Sequence, residues 1–304
     1  MKIGLIGTNW GRIHCGTFAE WGYKINTVMG QDKAKTKKVA KEEGIENYTT
    51  NRNDLKNMDV IIIASPMETH PEYIEFFKDK WVFCEKPLSG QKVKRSFIKK
   101  FKNKNIFFNY AFPQLETAKE IKRTVKADKL GNVYKIIANI AVSFPFEQSN
   151  SKWFVDVASH ELYFFNYLFK RFNLKNHYLN SDRLDISTQF SNGKQSLNIN
   201  LYQAYRESLT MDFKLIGDKG ELEVNGGYIP DKDWNFSPLR LNGEAITEGE
   251  YSNEIDIWFR ANARNVKLFL DLVNSKLSKS EAVAKGLADL TAAAEIEQGL
   301  NGLI

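Results

Sequence analysis

The chain has 304 residues, of which 42% are hydrophobic and 26% are charged, an ordinary composition for a globular protein with enough apolar material for two cores. Its formal net charge is only +6, which argues against a nucleic-acid partner, although a positive surface attracts anionic substrates. The two cysteines, Cys15 and Cys84, exclude a disulfide framework and follow no metal-ligand spacing, so we predict no metal site. No segment approaches the roughly 20 apolar residues of a membrane span. We therefore expect a soluble cytoplasmic protein with no membrane partner.

Strand and helix patterns alternate through the first third of the chain. We predict strands at residues 2–6, 24–29, 46–49, 59–64, 81–85 and 106–110, separated by helices at 11–22, 33–43, 70–79 and 90–101. The run Asp59–Ala64 consists mainly of β-branched residues, which is typical of a parallel strand buried on both faces. Regular alternation of this kind predicts an α/β fold, a doubly wound parallel sheet of the Rossmann type.

Longer strands dominate the rest of the chain. We predict strands at residues 133–145, 184–190, 195–203, 208–216 and 220–225, and helices at 114–126, 156–170, 257–274 and 280–300. Turn signals such as Ser191-Asn-Gly separate some of the strands. This part therefore predicts an α+β domain built on a large, mostly antiparallel sheet. With a boundary near Phe112-Pro113, the two domains are residues 1–113 and 114–304.

The loop after the first strand carries a degenerate phosphate-binding pattern. Glycines at a strand–helix junction let the backbone approach a pyrophosphate, and the usual fingerprint is Gly-x-Gly-x-x-Gly. Here Asn9 stands where a second glycine is expected and the loop is one residue shorter, but asparagine tolerates left-handed backbone geometry. The pattern predicts an NAD(P)-binding loop, with a plain tight turn as the alternative. Its candidate cofactor-binding residues are Gly7, Thr8, Asn9, Trp10, Gly11 and Arg12.

The end of the second strand bears on the choice between NAD and NADP. In NAD-preferring proteins an acidic residue near this point binds the ribose hydroxyls. Here the strand runs into Gly30 and Gln31, Asp32 comes slightly late, and Lys33 and Lys35 follow. Absence of the carboxylate removes repulsion against a 2′-phosphate, so the pattern favours NADP, unless the lysines merely face solvent. Gly30 and Gln31 join the candidate cofactor-binding residues.

Several short motifs occur in the order found in one oxidoreductase family. They are the opening loop ending at His14, Ala64-Ser65-Pro66 with Thr69-His70, Glu85-Lys86-Pro87, Asn109-Tyr110 with Phe112, Lys129-Leu-Gly-Asn-Val, Asp156-Val-Ala-Ser-His160, and Phe213-Lys-Leu-Ile-Gly217 with Gly220. Through these motifs nearly the whole chain resembles the glucose-fructose oxidoreductase and inositol dehydrogenase family (Gfo/Idh/MocA). The short glycine loop and the missing acid after the second strand depart from the family pattern.

The resemblance implies a role for each domain. It implies that residues 1–113 bind NAD(P) and that residues 114–304 bind the substrate. Because the large sheet leaves a broad face that needs cover, we also predict a homodimer or homotetramer that forms through this sheet. The implied substrate is a sugar, a polyol or a sugar derivative, and the basic composition favours an anionic one.

Hydride transfer from a carbinol needs a nicotinamide, a base for the hydroxyl proton and a group that stabilises the developing alkoxide. Lys86 follows a parallel strand, at the sheet edge where ligands bind in this architecture. Asp156 and His160 are four residues apart, so on a helix they share one face and the carboxylate can orient the imidazole. By the resemblance, Lys86, Asp156 and His160 form the catalytic set. Whether His160 or Lys86 takes the proton stays open.

The resemblance, together with position in the sequence, adds further pocket residues around this set. The additional candidates on the cofactor side are Ser65, Pro66, His70, Glu85 and Lys86. The candidates on the substrate side are Lys86, Asn109, Tyr110, Trp153, Asp156 and His160. For His70, Glu85, Asn109 and the two aromatic residues, packing at a strand end or in a core is the alternative.

These observations predict an NAD(P)-dependent oxidoreductase that moves a hydride between a nicotinamide and a carbinol or carbonyl carbon of a sugar-like small molecule. The alternative is a non-catalytic dinucleotide-binding sensor or regulator, because fold alone does not prescribe function. A Rossmann-type methyltransferase would also use a glycine loop, but it leaves Glu85-Lys86-Pro87 unexplained.

Overall fold

The chain forms two compact units. One comprises Met1–Ala111 with Ala261–Gln298, and the other comprises Phe112–Arg260 with Gly299–Ile304. None of the helices in the described part of the chain combines the length and the apolar character that crossing a membrane requires. The computed structural model describes residues 1–90, 93–142, 152–169, 172–179, 183–190, 196–203, 209–229, 233–252 and 256–301.

The first unit is built around a parallel sheet. Its strands and helices up to residue 111 are β1 (Ile3–Ile6), α1 (Ile13–Ala19), β2 (Thr27–Met29), α2 (Lys33–Glu42), β3 (Asn47–Thr49), β4 (Val60–Ile63), α3 (His70–Phe76), β5 (Trp81–Cys84), α4 (Arg95–Phe101) and β6 (Ile106–Phe108). The strands lie in the order β6-β5-β4-β1-β2-β3, and each neighbouring pair is parallel. Every residue of β1 and β4 is buried, as a strand covered on both faces requires. The predicted Rossmann-type sheet is confirmed.

The second unit is built around a larger sheet. Its elements are α5 (Glu116–Lys126), β7 (Val133–Val142), α6 (Lys152–Phe169), β8 (Phe172–Leu179), β9 (Arg183–Phe190), β10 (Ser196–Gln203), β11 (Leu209–Gly217), β12 (Glu221–Ile229), β13 (Asp233–Phe236), β14 (Arg240–Leu241), β15 (Glu244–Ala245) and β16 (Glu250–Tyr251). The main path is β15-β14-β12-β11-β7-β10-β9-β8, with β13 and β16 paired beside β12. Among the described pairs, β7 with β10 is parallel and the others are antiparallel. The predicted mostly antiparallel sheet is confirmed.

The C-terminal segment differs from the prediction of a single helix over residues 280–300. Its elements are α7 (Ile257–Val273), α8 (Lys279–Ala284), β17 (Ala288–Asp289) and α9 (Leu290–Asn301). Gly286 has a φ of +101°, a conformation that ends a helix, and β17 then pairs antiparallel with β6. The prediction was wrong because Leu287 and Ala288 are apolar and fit helical spacing. In the structure both are buried, and Ala288 pairs with β6 at the edge of the sheet.

The segment Ala261–Gln298 is part of the first unit, whereas the division at residue 113 assigned it to the second domain. The reason is the apolar face of α7, which places Val266, Phe269 and Leu270 in the same core cluster as residues of the parallel sheet. The rings of Phe269 and Phe83 lie 5.0 Å apart. The first unit is therefore discontinuous in sequence.

Candidate functional site

The carboxyl ends of β1, β2 and β4 surround a cavity of about 450 Å³. Here the strand order reverses, because β1 lies between β4 and β2, and ligands of open α/β sheets bind at such a switch point. We call it the switch-point cavity. It is lined by Ile6, Gly7, Thr8, Asn9, Trp10, Met29, Gly30, Gln31, Asp32, Lys35, Ala64, Ser65, Pro66, Thr69 and Tyr73.

Gly7 shows that the backbone of the loop after β1 must come close to β4. Its φ is +122°, and a Cβ atom at this position would lie 2.2 Å from the carbonyl oxygen of Ala64. Its amide N–H donates to the Met29 carbonyl at 2.9 Å, which ties the loop to the end of β2. A side chain at position 7 would therefore push apart the strand ends that form the cavity.

At Gly30, which follows β2, the acidic side chain that binds a ribose in NAD-preferring proteins would require Thr36 and Thr8 to move. A Cβ atom on Gly30 would lie 2.3 Å from Thr36 Oγ1 and 2.7 Å from Thr8 Cγ2. The Asp32 carboxylate is engaged as the N-cap of α2, where it accepts the backbone N–H of Lys35 at 2.7 Å.

Lys35 provides positive charge at this end of the cavity. Its ammonium donates to Asn9 Oδ1 at 2.5 Å and so links α2 to the loop after β1. Both residues line the cavity. The Lys35 ammonium is thus a positive charge in the lining of the cavity, between α2 and the loop after β1.

Eight of the predicted cofactor-binding residues line the switch-point cavity and five lie outside its described lining. Those that line it are Gly7, Thr8, Asn9, Trp10, Gly30, Gln31, Ser65 and Pro66. Those outside are Gly11, Arg12, His70, Glu85 and Lys86. Gly11 packs against the side chains of Leu5 and Ala64. The Arg12 guanidinium is held by Glu43 at 2.6 Å and Glu42 at 3.1 Å, on the surface of α2.

Seven lining residues were not among the predicted cofactor-binding set, namely Ile6, Met29, Asp32, Lys35, Ala64, Thr69 and Tyr73. Lys35 had been noted only for its charge, and Thr69 and Tyr73 belong to the segment that follows Pro66. Thr69 and Tyr73 are four residues apart at the start of α3, so a helix beginning at the motif places them on one face. That four-residue spacing was the feature of the sequence that could have identified Thr69 and Tyr73 as lining residues.

Glu85 is a buried carboxylate at the end of β5, directly before Lys86. It is 6% exposed, and its Oε1 lies 2.8 Å from His14 Nε2 and accepts a hydrogen bond from Asn109 Nδ2 at 2.8 Å. Burial by itself raises the pKa of Glu85. The His14 and Asn109 hydrogen bonds and the charge of Lys86 outweigh burial and lower that pKa below its ordinary value. Glu85 therefore carries negative charge beside the half-buried Lys86.

Asn109 belongs to the same polar network. Its Nδ2 also donates to Asn262 Oδ1 at 2.6 Å, and its Oδ1 accepts from Asn265 Nδ2 at 2.9 Å. The side chain is 2% exposed, and the neighbouring Tyr110 is completely buried. The sequence predicted both as substrate contacts, with packing as the alternative; both side chains are buried, and the substrate role stays a prediction.

His70 lies between two of the motif loops. It begins α3 and is 1% exposed. Its Nδ1 is 2.9 Å from the carbonyl oxygen of Pro87, and its Nε2 is 2.9 Å from that of Ser65. Burial lowers the pKa of His70, and the two carbonyl oxygens act in the opposite direction. The imidazole therefore contacts the loops on either side without lining the cavity.

The second unit contains Asp156 and His160 on α6, where both side chains are partly exposed. Their spacing places them on one face of the helix, as predicted. The His160 ring lies 5.3 Å from that of Trp258, edge to face, and Trp258 stacks on Trp234 at 5.4 Å. The sequence analysis did not single out this aromatic pair. The side chain of Trp153, predicted as a substrate contact, lies outside the described residues.

The parallel sheet, the tight loop at Gly7 and the switch-point cavity define a dinucleotide-binding protein of the Rossmann class. Residues 1–110 match the family model described as the oxidoreductase family with an NAD-binding Rossmann fold. Over these residues the match confirms the resemblance to the Gfo/Idh/MocA oxidoreductase family found in the sequence. A search of curated proteins gave no match.

Solved structures of similar fold extend over nearly the whole chain. A scyllo-inositol dehydrogenase from Lactobacillus casei, with bound NAD(H) and scyllo-inositol, is 17% identical with a TM-score of 0.76, covering 100% of this chain and 95% of its own. A myo-inositol dehydrogenase from Corynebacterium glutamicum is 14% identical, with a TM-score of 0.74 and coverage of 99% and 94%. The WlbA dehydrogenase from Bordetella pertussis, in complex with NADH and UDP-GlcNAcA, is 15% identical, with a TM-score of 0.74 and coverage of 99% and 93%. At these identities the similarity establishes the fold.

Proposed function

We propose that the protein is an NAD(P)-dependent oxidoreductase that transfers a hydride between a nicotinamide and a carbinol or carbonyl carbon of a sugar, a polyol or a sugar derivative. The observation that carries this proposal is the position of Lys86. It follows β5, and β5 is the neighbour of β4, whose end forms the switch-point cavity. A cofactor-sized cavity and a cation thus lie at the ends of adjacent parallel strands.

The residues of the first unit fit a dinucleotide. Gly7, with a φ of +122° and no room for a Cβ atom beside the Ala64 carbonyl, lets the loop after β1 turn tightly at the strand end, where a pyrophosphate approaches the backbone in this architecture. Ser65 and Pro66 line the cavity where β4 ends. The neighbouring strand is β5, which Lys86 follows. The bound nicotinamide would supply the hydride acceptor or donor.

We assign the proton and charge chemistry to Lys86, Asp156 and His160. The Lys86 ammonium stabilises the oxygen that gains negative charge when the substrate carbon loses its hydride. Asp156 orients the His160 imidazole, whose ordinary pKa suits it to exchange a proton near neutral pH. His160 and Lys86 are the two candidates for the group that takes the hydroxyl proton.

Lys35 and the absence of an acid at Gly30 support a preference for NADP. An ammonium attracts a 2′-phosphate, and the missing carboxylate removes a repulsion. The preference is part of the proposal and is separable from the reaction, because a protein that prefers NAD would use the same catalytic groups.

The sugar-like substrate class is supported by the solved structures of similar fold. One contains scyllo-inositol, another UDP-GlcNAcA and a third levoglucosan. Each is a polyhydroxylated ring compound. The net charge of +6 favours an anionic member of this class.

The proposal is tested by incubating the purified protein with NAD or NADP and a panel of inositols, aldoses, sugar acids and nucleotide sugars. We expect the absorbance of reduced nicotinamide to rise with at least one substrate, and the His160→Ala and Lys86→Met variants to lose that turnover while they still bind cofactor. Turnover that both variants retain would refute the catalytic assignment.

A non-catalytic sensor is the second candidate function, and the degenerate glycine loop with Asn9 favours it. A sensor would bind the dinucleotide tightly, turn over no sugar and respond to neither substitution. Fluorescence titration with NADH and NADPH, read beside the turnover assay, separates the two functions.

We further propose that the protein is a cytosolic homodimer or homotetramer assembled through the sheet of the second unit. Tyr134 on the central strand β7 is 48% exposed, a large aromatic side chain on a broad sheet. Light scattering at micromolar concentration tests the assembly, and a monomer would contradict it.

A further inference from the structure

His70 joins the two loops on which the proposed reaction depends. Ser65 lies in the loop after β4 and lines the switch-point cavity, while Pro87 directly follows Lys86 in the loop after β5. Each loop turns one backbone carbonyl towards the same imidazole, and each carbonyl oxygen lies 2.9 Å from a ring nitrogen. One side chain thus spans the gap between the ends of two adjacent strands.

Each loop also has its own anchor. On the β4 side, Thr69 Oγ1 lies 2.7 Å from Ser65 Oγ and donates to the Pro66 carbonyl at 2.7 Å. On the β5 side, Ser89 donates from its backbone N–H and its hydroxyl to the buried carboxylate of Glu297 at 2.9 Å. The imidazole therefore connects two loops that are each already held in place. Its contribution is to fix their spacing.

The chemistry of the ring suits this task. A neutral imidazole carries one N–H and donates to one of the two carbonyl oxygens, whereas a protonated imidazole donates to both; burial lowers the pKa of His70, and the two carbonyl oxygens act in the opposite direction. Because His70 is almost completely buried, its ring has little freedom to rotate. His70 is not among the residues that line the switch-point cavity.

We propose that His70 is a positioning residue that sets the distance between the nicotinamide-side loop at Ser65 and the catalytic Lys86. This inference rests on the proposed function, because positioning has a kinetic meaning only where a hydride is transferred. A displacement of about 1 Å between reacting groups lowers a rate by roughly a hundredfold.

Three substitutions separate the two contacts. In His70→Asn the amide nitrogen falls near the place of Nδ1 and can still donate to Pro87. In His70→Gln it falls near Nε2 and can still donate to Ser65. His70→Phe keeps a planar ring and loses both ring nitrogens, and so loses the contacts with both carbonyl oxygens. Phe77→Leu, a change at the buried other end of α3, serves as the stability-matched control.

The measurements are kcat with saturating cofactor, the cofactor dissociation constant, and amide hydrogen exchange over residues 65–69 and 86–90. We expect His70→Phe to lower kcat by about tenfold or more and to speed exchange in both loops. We expect the Asn or the Gln variant to recover at least one of kcat and cofactor affinity, which a purely structural role would not allow.

Two results would overturn the inference. One is a His70→Phe enzyme whose kcat, cofactor affinity and loop exchange all stay within about twofold of the native values. The other is an equal loss of kcat and cofactor affinity in the Phe, Asn and Gln variants that matches Phe77→Leu. If the native protein turns over no substrate, the proposed function fails instead, and the exchange and cofactor-binding measurements still decide whether His70 joins the loops.

Discussion

The switch-point cavity and the polar network behind Lys86 lie at the same edge of one sheet, yet their surroundings differ sharply. The cavity is open: Trp10 is 54% exposed, and Asn9 and Lys35 also reach solvent. The network is closed, because His14 is fully buried and Glu85 is 6% exposed. Substitutions of the exposed cavity residues can therefore alter which ligand the cavity prefers, with little change in the free energy of unfolding. The network holds Glu85, the residue before Lys86, among buried groups, so the position of Lys86 depends on the folding of the unit.

The largest expected effect is on turnover at Lys86. We predict that Lys86→Met lowers kcat/KM by about a thousandfold with little change in cofactor affinity, because a donor to a developing oxyanion acts mainly in the transition state. Steady-state kinetics beside a cofactor titration checks this. Lys78→Met, at an exposed position of the same unit, is the control. Equal activity in the two variants would remove Lys86 from the catalytic set.

The next effect is on stability at Glu85. We predict that Glu85→Gln lowers the free energy of unfolding by about 2 kcal/mol at pH 7, because His14 and Asn109 lose a buried charged partner. Glu72→Gln, at a 66% exposed carboxylate paired with Arg52, is the matched control and should change it by less than about 0.5 kcal/mol. Urea denaturation of both variants measures the difference.

The same substitution carries a pH signature. The folded-state pKa of Glu85 lies below its ordinary value of 4.5, so its stabilising contribution is complete above pH 4.5 and is lost as the pH falls through the folded pKa. We therefore expect the stability gap between the native protein and Glu85→Gln to narrow below pH 4.5. A gap that stays constant down to pH 3 would show that the carboxylate charge does not stabilise the fold.

A smaller effect is expected on nucleotide affinity at Lys35, in the switch-point cavity. Lys35→Ala should raise the dissociation constant of NADPH by about fivefold and leave that of NADH nearly unchanged, because only NADPH carries the 2′-phosphate. Lys33→Ala, an exposed change on the first turn of the same helix, is the control. Equal weakening of both nucleotides would instead assign Lys35 to the structure of the loop.

The smallest effect concerns Trp10. Its exposed indole lines the cavity, so bound cofactor should quench its fluorescence, and Trp10→Phe should remove part of the quenching while changing affinity by less than about twofold. The difference between the emission titrations of the two proteins isolates this contribution from the other five tryptophans. Identical quenching in both proteins would place the ligand away from Trp10.

The elements of the first sheet could be predicted because their signals are local. The apolar run at Val60–Ile63 and the loop at Gly7 depend on neighbours a few residues away, and both were identified from the sequence. The network could not be predicted in the same way. His14 and Glu85 are 71 residues apart, and Asn109 and Asn262 are 153 apart, so nothing in the local pattern indicates their pairing.

The C-terminal segment shows the same limit. The apolar face of α7 was visible, but helical spacing does not tell which sheet a helix covers, and Phe269 packs with Phe83. Polar and packing roles were also indistinguishable for Asn109 and Tyr110, since both residue types serve either purpose. The candidate residues could therefore be identified from the sequence. Which of them line the cavity and which are buried in the interior depends on contacts between residues far apart in the chain.

The pairing of β17 with β6 has a consequence for anyone who dissects this protein. A fragment that stops at residue 113 would leave the backbone N–H and C=O groups of β6 open along one border, and would strip the apolar side chains of Phe83 and Phe107 of their cover by Phe269. Unprotected borders of this kind recruit other chains and aggregate. A tractable nucleotide-binding fragment would have to splice Ala261–Gln298 back on, for example by circular permutation.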